Sequence, residues 1–156
     1  MEIYLIQHGE AKSKEEDPER PLSDLGSANI KKTAAFFKKL DKKIDAIWHS
    51  GLKRAEQTAE ILADSLGLDS PLKKYKGLTP NDDISIIKKD IESANLQAIA
   101  LVGHLPHLSR LASDLLTDDE DQPIIQFKNA GIVSLSQENE DWIIRWIITP
   151  DIIPAG

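Results

Sequence analysis

The sequence predicts a three-layer α/β/α domain with a mostly parallel central sheet and an antiparallel edge near the C-terminus. Near-continuous apolar runs begin at Glu2, Asp45 and Gln97, as expected of strands covered on both faces. Segments of helical period lie between them. After the acidic segment Asp118-Asp119-Glu120-Asp121 the pattern changes to short strands.

Taken in order, Glu2-Ile3-Tyr4-Leu5-Ile6-Gln7 reads as the first strand. Ile30, Thr33, Ala34 and Phe37 share one face of a helix that Ser23 or Asp24 would cap, and the lysines at 31, 32, 38, 39, 42 and 43 fall mostly on its polar side. Asp45-Ala46-Ile47-Trp48-His49 is the second strand. Ala55, Thr58, Ala59, Leu62 and Leu66 form the stripe of a second helix, with Gly67 where a left-handed residue would end it. Ile84, Ile87 and Ile91 mark a third helix, and Gln97-Ala98-Ile99-Ala100-Leu101-Val102-Gly103 a third strand. Leu108, Leu111, Ala112 and Leu115 mark a fourth helix, with Pro106 in its first turn, where a missing N–H costs nothing. Strands are then expected at Ile124–Lys128, Ile132–Ser136 and Trp142–Ile148, the last two as a hairpin through Gln137-Glu138-Asn139-Glu140. Even spacing puts Trp142 and Trp146 on the same side of the final strand. With no repeat, linker or low-complexity tract, residues 1–156 read as one domain.

Composition narrows the function. The 156 residues include no cysteine, which removes disulfides, thiolate metal sites and a thiol nucleophile, and suits a reducing compartment. A cytoplasmic protein is expected. No apolar run approaches the roughly 20 residues of a membrane span, so no membrane partner is expected. A net charge of −7 repels phosphate backbones, so nucleic acid is not an expected partner and any phosphate site must be local.

The segment after each parallel strand is the informative feature. The first strand runs into Gln7-His8-Gly9-Glu10, the second into Ser50-Gly51-Leu52-Lys53-Arg54, and the third into His104-Leu105-Pro106-His107. All three lie at the carboxyl ends of strands, where open parallel sheets bind ligands. Gly9 and Gly103 allow close backbone approach. A helix beginning near Leu105 points free N–H groups at that rim, and Arg54 adds a planar fork of donors that suits phosphate. Imidazole, with an ordinary pKa of about 6.5, is largely neutral and nucleophilic at pH 7 without a separate base. His104 and His107 have the spacing of a metal pair, but no carboxylate or cysteine joins them at ligand spacing, so no metal and no cofactor are expected. His49 stands either in the pocket or in the packing, and Glu10 reads as a solvated loop carboxylate.

At these residues the chain resembles the histidine phosphatase superfamily over nearly its whole length, most closely the small phosphohistidine phosphatase (SixA-like) branch. Leu5-Ile6-Gln7-His8-Gly9-Glu10-Ala11 stands for the opening signature, Ser50-Gly51-Leu52-Lys53-Arg54-Ala55-Glu56-Gln57-Thr58 for the second, and Leu101-Val102-Gly103-His104 for the third. Arg20-Pro21-Leu22-Ser23-Asp24-Leu25-Gly26 and Gly77-Leu78-Thr79-Pro80 are similar to further stretches of the branch. The resemblance implies a phosphoglycerate mutase-like fold, His8 as nucleophile, and Arg54 and His104 as phosphate-contacting partners. It implies a phosphatase that hydrolyses phosphohistidine, or a similar phosphorylated group, through a phosphohistidine enzyme intermediate, with a phosphorylated protein as substrate reached through an open cleft. Gln7, Gly9, Arg20 and Leu105 are expected to bind substrate.

Two departures stand out. Gly51 replaces the usual proline, which is expected only to loosen a turn. Gln7 replaces the family's first arginine, removing a charge from a site that holds a dianion. Arg20 is a candidate to swing in and restore it. The alternative reading is a weakened module that binds phosphate or phosphohistidine. A sugar-acid mutase fits poorly, because such relatives are longer and carry an acid/base glutamate, and no proton donor can be placed here.

Overall fold

The computed structural model describes residues 1–69 and 72–154. Its strands and helices are β1 Glu2–Gln7, α1 Asp24–Lys39, β2 Ala46–His49, α2 Lys53–Leu66, β3 Leu72–Lys74, α3 Ile84–Ser93, β4 Ala98–Gly103, α4 His107–Thr117, β5 Ile132–Glu138 and β6 Asp141–Ile148, followed by a 3-10 turn at Pro150–Ile152. They form one six-stranded sheet in the order β3-β2-β4-β1-β5-β6. The first four strands of that order run parallel, while β5 and β6 are antiparallel to their neighbours.

Strand alternation builds two cores. Tyr4, Ile6, Ile47, Ala100 and Val102 pack against α1 and α2, while Ile3, Leu5, Trp48, Ile99 and Leu101 pack against α3 and α4 on the other face. The fully apolar central strands are what a sheet covered on both faces demands, and the predicted α/β/α layering with its antiparallel C-terminal edge is what the chain adopts. Ser23 caps α1, its Oγ accepting from Gly26 N–H at 3.0 Å, and Gly67 ends α2 in the left-handed region at φ 64°. Asn139 and Glu140 turn the hairpin with φ 51° and 76°, as a tight hairpin turn requires.

Several expectations are corrected. The short strand β3 was not anticipated, because two of its three residues are exposed lysines with no apolar run; such residues suit an edge strand. The segment Ile124–Lys128 is not a strand. Both sides of β1 are taken, by β4 and β5, so the segment instead lays Ile125 and Phe127 on the α3/α4 core without a ladder. Asp45 stands outside β2 and accepts with one carboxylate oxygen from the N–H groups of Gln97 and Ala98, each at 3.0 Å. Helix α4 begins at His107, with Pro106 at its cap rather than inside its first turn.

Trp142 and Trp146 also part company. A register shift in the β5/β6 ladder pairs Ser134 with Trp146 but Leu135 with Ile144, leaving Arg145 as the extra residue. One inserted residue reverses the alternation. Trp146 therefore packs on the α1/α2 core and Trp142 on the α3/α4 core.

The start of α1 is fastened to the segment after β1. Ser23 N–H donates to the Glu10 carbonyl at 2.9 Å, and the backbones meet so closely that a Cβ on Gly26 would lie 2.0 Å from that same oxygen. Neither partner is a side-chain tip that can yield. Gly26→Ala is expected to lower stability by about 2–3 kcal/mol through overpacking, and Ser23→Ala by about 1 kcal/mol through loss of the cap. Urea denaturation midpoints of the two variants check that order.

Candidate active site

The site begins with one register. β1 and β4 pair with Gln7 opposite Gly103, and His8 N–H extends the ladder by donating to the Gly103 carbonyl at 3.1 Å. A histidine stands next in each chain segment, so the His8 and His104 rings come together with centroids 4.9 Å apart and planes inclined at 52°. β2 lies on the other side of β4, with His49 opposite Val102. Ser50 therefore emerges beside His104, its Oγ 2.6 Å from Nε2 of that ring.

His8 is held in one tautomer. Its Nδ1 lies 2.6 Å from the Gly9 carbonyl, and because a carbonyl only accepts, Nδ1 carries the proton and Nε2 keeps the lone pair. Burial pushes the His8 pKa down to about 4, the Gly9 carbonyl opposing and the Arg54 and Arg20 charges adding to the fall. The ring is neutral at pH 7. Gly9 N–H donates to Thr58 Oγ1 at 3.0 Å, and the Thr58 hydroxyl donates to the Arg54 carbonyl at 2.7 Å. The loop bearing the nucleophile candidate is thus fastened to the first turns of α2. Asn129 Nδ2 donates to the His8 carbonyl at 2.9 Å from the far end of the chain.

His104 is set by a similar relay. Ser50 Oγ accepts from Leu52 N–H at 3.3 Å, which leaves the hydroxyl hydrogen for His104 Nε2. The single N–H proton of the neutral ring then belongs on His104 Nδ1, a buried atom with no hydrogen-bond partner. Burial, followed by the His8 ring and the Arg54 charge, pushes the His104 pKa down to about 3.

Arg54 completes the group. Burial and then the charge of Arg20 lower its pKa, and its Nε is buried without a partner. Arg20 sits at φ 49°, its Nε donating to the Lys12 carbonyl at 3.1 Å. Among the described residues neither guanidinium has a carboxylate within ion-pair distance. Both line an open hollow of about 600 Å³ together with Gly51, Leu52 and Lys53.

Of the expected residues Arg20 and Arg54 line this hollow, while His8, Gly9 and His104 do not. Gln7 borders a separate one of about 470 Å³ with Asn29, Lys32, Lys128 and Asn129, and its Oε1 is buried without a partner. Leu105 follows His104 directly and is 40% exposed. Glu10 has an exposed side chain, as expected of a loop carboxylate. His49 is buried and accepts from Gly51 N–H at 3.1 Å, which resolves it as a residue of the turn. Gly51 has φ 89°, a conformation closed to proline. The departure from the family pattern therefore rebuilds this turn, where only a loosening was expected.

Proton donors and metal ligands are scarce. Asp82 accepts from both the N–H and the hydroxyl of Thr79, which holds its carboxyl below the usual range and keeps it ionised at neutral pH. His107 is fully buried, and among the described residues no group of three or more His, Cys, Asp or Glu is placed to hold a metal ion. The bonds made by Ser50 and Thr58 had only their places in the second signature as a signal, and Asn129 had none.

Comparison with known proteins bears on the family and the fold. Residues 3–79 match the family model described as histidine phosphatase superfamily (branch 1). The chain is 26% identical over 155 residues to the phosphohistidine phosphatase SixA of Escherichia coli (strain K12), covering 96% of this chain and 94% of that one. It is 32% identical over 141 residues to an uncharacterized protein of Picosynechococcus sp., covering 86% and 84% of the two. Among solved structures, that of the protein histidine phosphatase SixA complexed with tungstate superposes with a TM-score of 0.87 at 24% identity, covering 97% and 98%. With paired histidines at adjacent strand ends, a guanidinium in the next turn and a fold shared from end to end, the chain belongs to the histidine phosphatase superfamily, in its SixA-like branch.

Proposed function

We propose that this protein is a metal-independent phosphatase that takes the phosphoryl group of a protein-borne phosphohistidine onto Nε2 of His8 and passes it to water, acting in the cytoplasm. The observation that carries the reading is a neutral imidazole, its Nδ1 proton committed to the Gly9 carbonyl, beside two guanidinium groups that have no counter-ion among the described residues. Such a place lacks an anion with its charge on several oxygens. SixA, which this chain resembles, is described in complex with tungstate, a tetrahedral oxyanion like phosphate.

The Nε2 lone pair of His8 attacks phosphorus in line with the scissile P–N bond. That bond breaks and its electron pair returns to the substrate imidazole, which takes up a proton. Arg54, the Nδ1 proton of His104 and the backbone at Leu105 stabilise the equatorial oxygens, where donors contribute most. Water then attacks the phospho-His8 adduct, releasing inorganic phosphate and neutral His8. An imidazole leaving group asks less of an acid than an alkoxide does, which suits a sequence in which the family's proton donor has no counterpart. Arg20, close enough to act on both imidazoles and on Arg54, supplies the charge that Gln7 lacks.

The orientation of Gln7 toward a separate hollow favours a second reading, a module that binds phosphohistidine and turns it over negligibly. Incubation with a phosphohistidine peptide separates the two. The phosphatase reading expects turnover that survives EDTA, an acid-labile adduct on His8, and loss of both in His8→Ala. It also expects Gln7→Arg to raise kcat/KM by roughly 10-fold to 100-fold, the worth of one charged hydrogen bond. No turnover by the native protein, with activity appearing in Gln7→Arg, would establish the binding module instead.

The depressed pKa values set a pH dependence. The nucleophile stays unprotonated down to about 4, so the acid limb that belongs to His8 in kcat/KM lies near that value instead of near the ordinary imidazole value of about 6.5. Stability follows the same sign. Unfolded imidazoles charge near 6.5, and the folded ones resist until about 4 for His8 and about 3 for His104. The unfolded state binds more protons in that window, so stability is complete above about pH 6.5 and declines as pH falls through it. NMR titration of the ring protons and urea midpoints between about pH 7.5 and 4.5 check both statements, and His8→Gln/His104→Gln is expected to flatten the stability slope.

A further inference from the structure

The backbone of His8 is gripped from two directions. Its carbonyl is met from a turn 121 residues further along the chain, where Asn129 Nδ2 donates to it at 2.9 Å. A carbonyl only accepts, so the Asn129 amide presents its NH2 end there. Ala130 N–H lies 2.9 Å from the Gln7 carbonyl and 3.3 Å from that of His8. Its better bond goes to Gln7, which leaves Asn129 as the principal donor to His8. The turn takes an unusual shape to do so. Gly131 N–H closes it on the Lys128 carbonyl at 3.0 Å, and Ala130, fully buried, has φ 63°. An alanine holds that left-handed conformation only where its surroundings impose it.

The same peptide unit is held on its opposite edge. Gly9 N–H donates to Thr58 Oγ1 at 3.0 Å, so the His8–Gly9 plane is pinned between α2 on one side and the turn before β5 on the other. The ring of His8 is attached at one end of this plane and the carbonyl of Gly9 at the other. Their contact, Nδ1 to the carbonyl oxygen at 2.6 Å, therefore depends on how the plane is turned. Gly9 does not fix that angle itself, because glycine lacks the side chain that restricts backbone rotation, and a Cβ there would stand 2.9 Å from the Gly26 carbonyl oxygen. The restraint has to come from outside.

We infer that Asn129 is a positioning residue: it keeps the His8–Gly9 peptide turned so that the Gly9 carbonyl retains the Nδ1 proton and Nε2 presents its lone pair to phosphorus. The inference rests on the reading of His8 as nucleophile and adds the residue that maintains its tautomer. Thr58, within the residues 3–79 that match the family model, holds one edge of the peptide, and Asn129, beyond them, holds the other. Without the Asn129 donor the His8 carbonyl keeps only the longer, shared bond from Ala130. The plane is then free to rock, the contact to the Gly9 carbonyl lengthens, and nothing holds the proton on Nδ1. A ring with its proton on Nε2 has no lone pair for the phosphoryl group. Asn129 is exposed, so its truncation opens no cavity in either core and acts on His8 instead.

The test reads the His8 ring by imidazole nitrogen NMR in the substrate-free protein, beside kcat and KM with a phosphohistidine peptide. The native ring is expected to carry its proton on Nδ1 alone. Two variants remove the donor: Asn129→Ala, and Asn129→Asp, which keeps the size but sets only acceptors before the carbonyl at neutral pH. Both are expected to show the two tautomers in exchange and to lose roughly tenfold in kcat with KM little changed, about what one hydrogen bond contributes. Lys128→Ala, in the same turn but without a bond to His8, is the control and should match the native protein in both readouts. A native ring protonated on Nε2, an Nδ1–H ring retained in both Asn129 variants, a loss confined to KM, native kcat in both variants, or an equal loss in Lys128→Ala would overturn the inference. The spectrum needs no substrate. If the native protein turns nothing over, the phosphatase reading fails, and the tautomers alone decide whether Asn129 positions the ring.

Discussion

Pairing of β1 with β4 in parallel, Gln7 level with Gly103, is the constraint from which the site descends. Two strands far apart in sequence end at the same height, and each continues into a histidine. A shift of one residue would turn every side chain of β1 to the opposite face, exchanging the two cores and separating the rings. The apolar patterns on both faces of the sheet, Tyr4 and Ile6 on one and Ile3 and Leu5 on the other, forbid that shift. The hydrophobic effect thus sets the geometry of the histidine pair indirectly, by making any other register bury the wrong residues.

Around that register the structure gathers unsatisfied groups. His104 Nδ1, Arg54 Nε and Gln7 Oε1 are buried without partners, and each such group costs on the order of 1–3 kcal/mol. Two guanidinium groups repel one another nearby. A domain carries such a burden only because its cores are well packed elsewhere, and an oxyanion placed between the rings and Arg54 relieves the donors at once. The tight junction of Gly9, Gly26 and Glu10, with Thr58 bridging to α2, keeps the groups in place while no anion is present.

Much of this was legible in the chain itself. Continuous apolar runs located β1, β2 and β4, period located all four helices, and the polar residues after each strand located His8, Arg54 and His104. The features that escaped did so for specific physical reasons. Leu72–Lys74 is too short and too charged to look like a strand. Ile124–Lys128 has strand composition, but both sides of β1 are taken by β4 and β5. The Ser50 contact with His104 and the Asn129 contact with the His8 carbonyl join residues 54 and 121 positions apart, which no local pattern encodes. Gly51 was visible as a departure, yet only its φ of 89° shows that the turn takes a path proline cannot follow.

The extra residue in β6 has one more consequence. Because Arg145 interrupts the alternation, the chain's three indoles are divided between the two sides of the sheet, Trp48 and Trp142 on one and Trp146 on the other. Had the strand been regular, both indoles of β6 would have sampled the same layer. As folded, the intrinsic emission of the molecule holds a separate optical signal from each half of its interior, so the order in which the two layers loosen is written into its ultraviolet spectrum without any added dye.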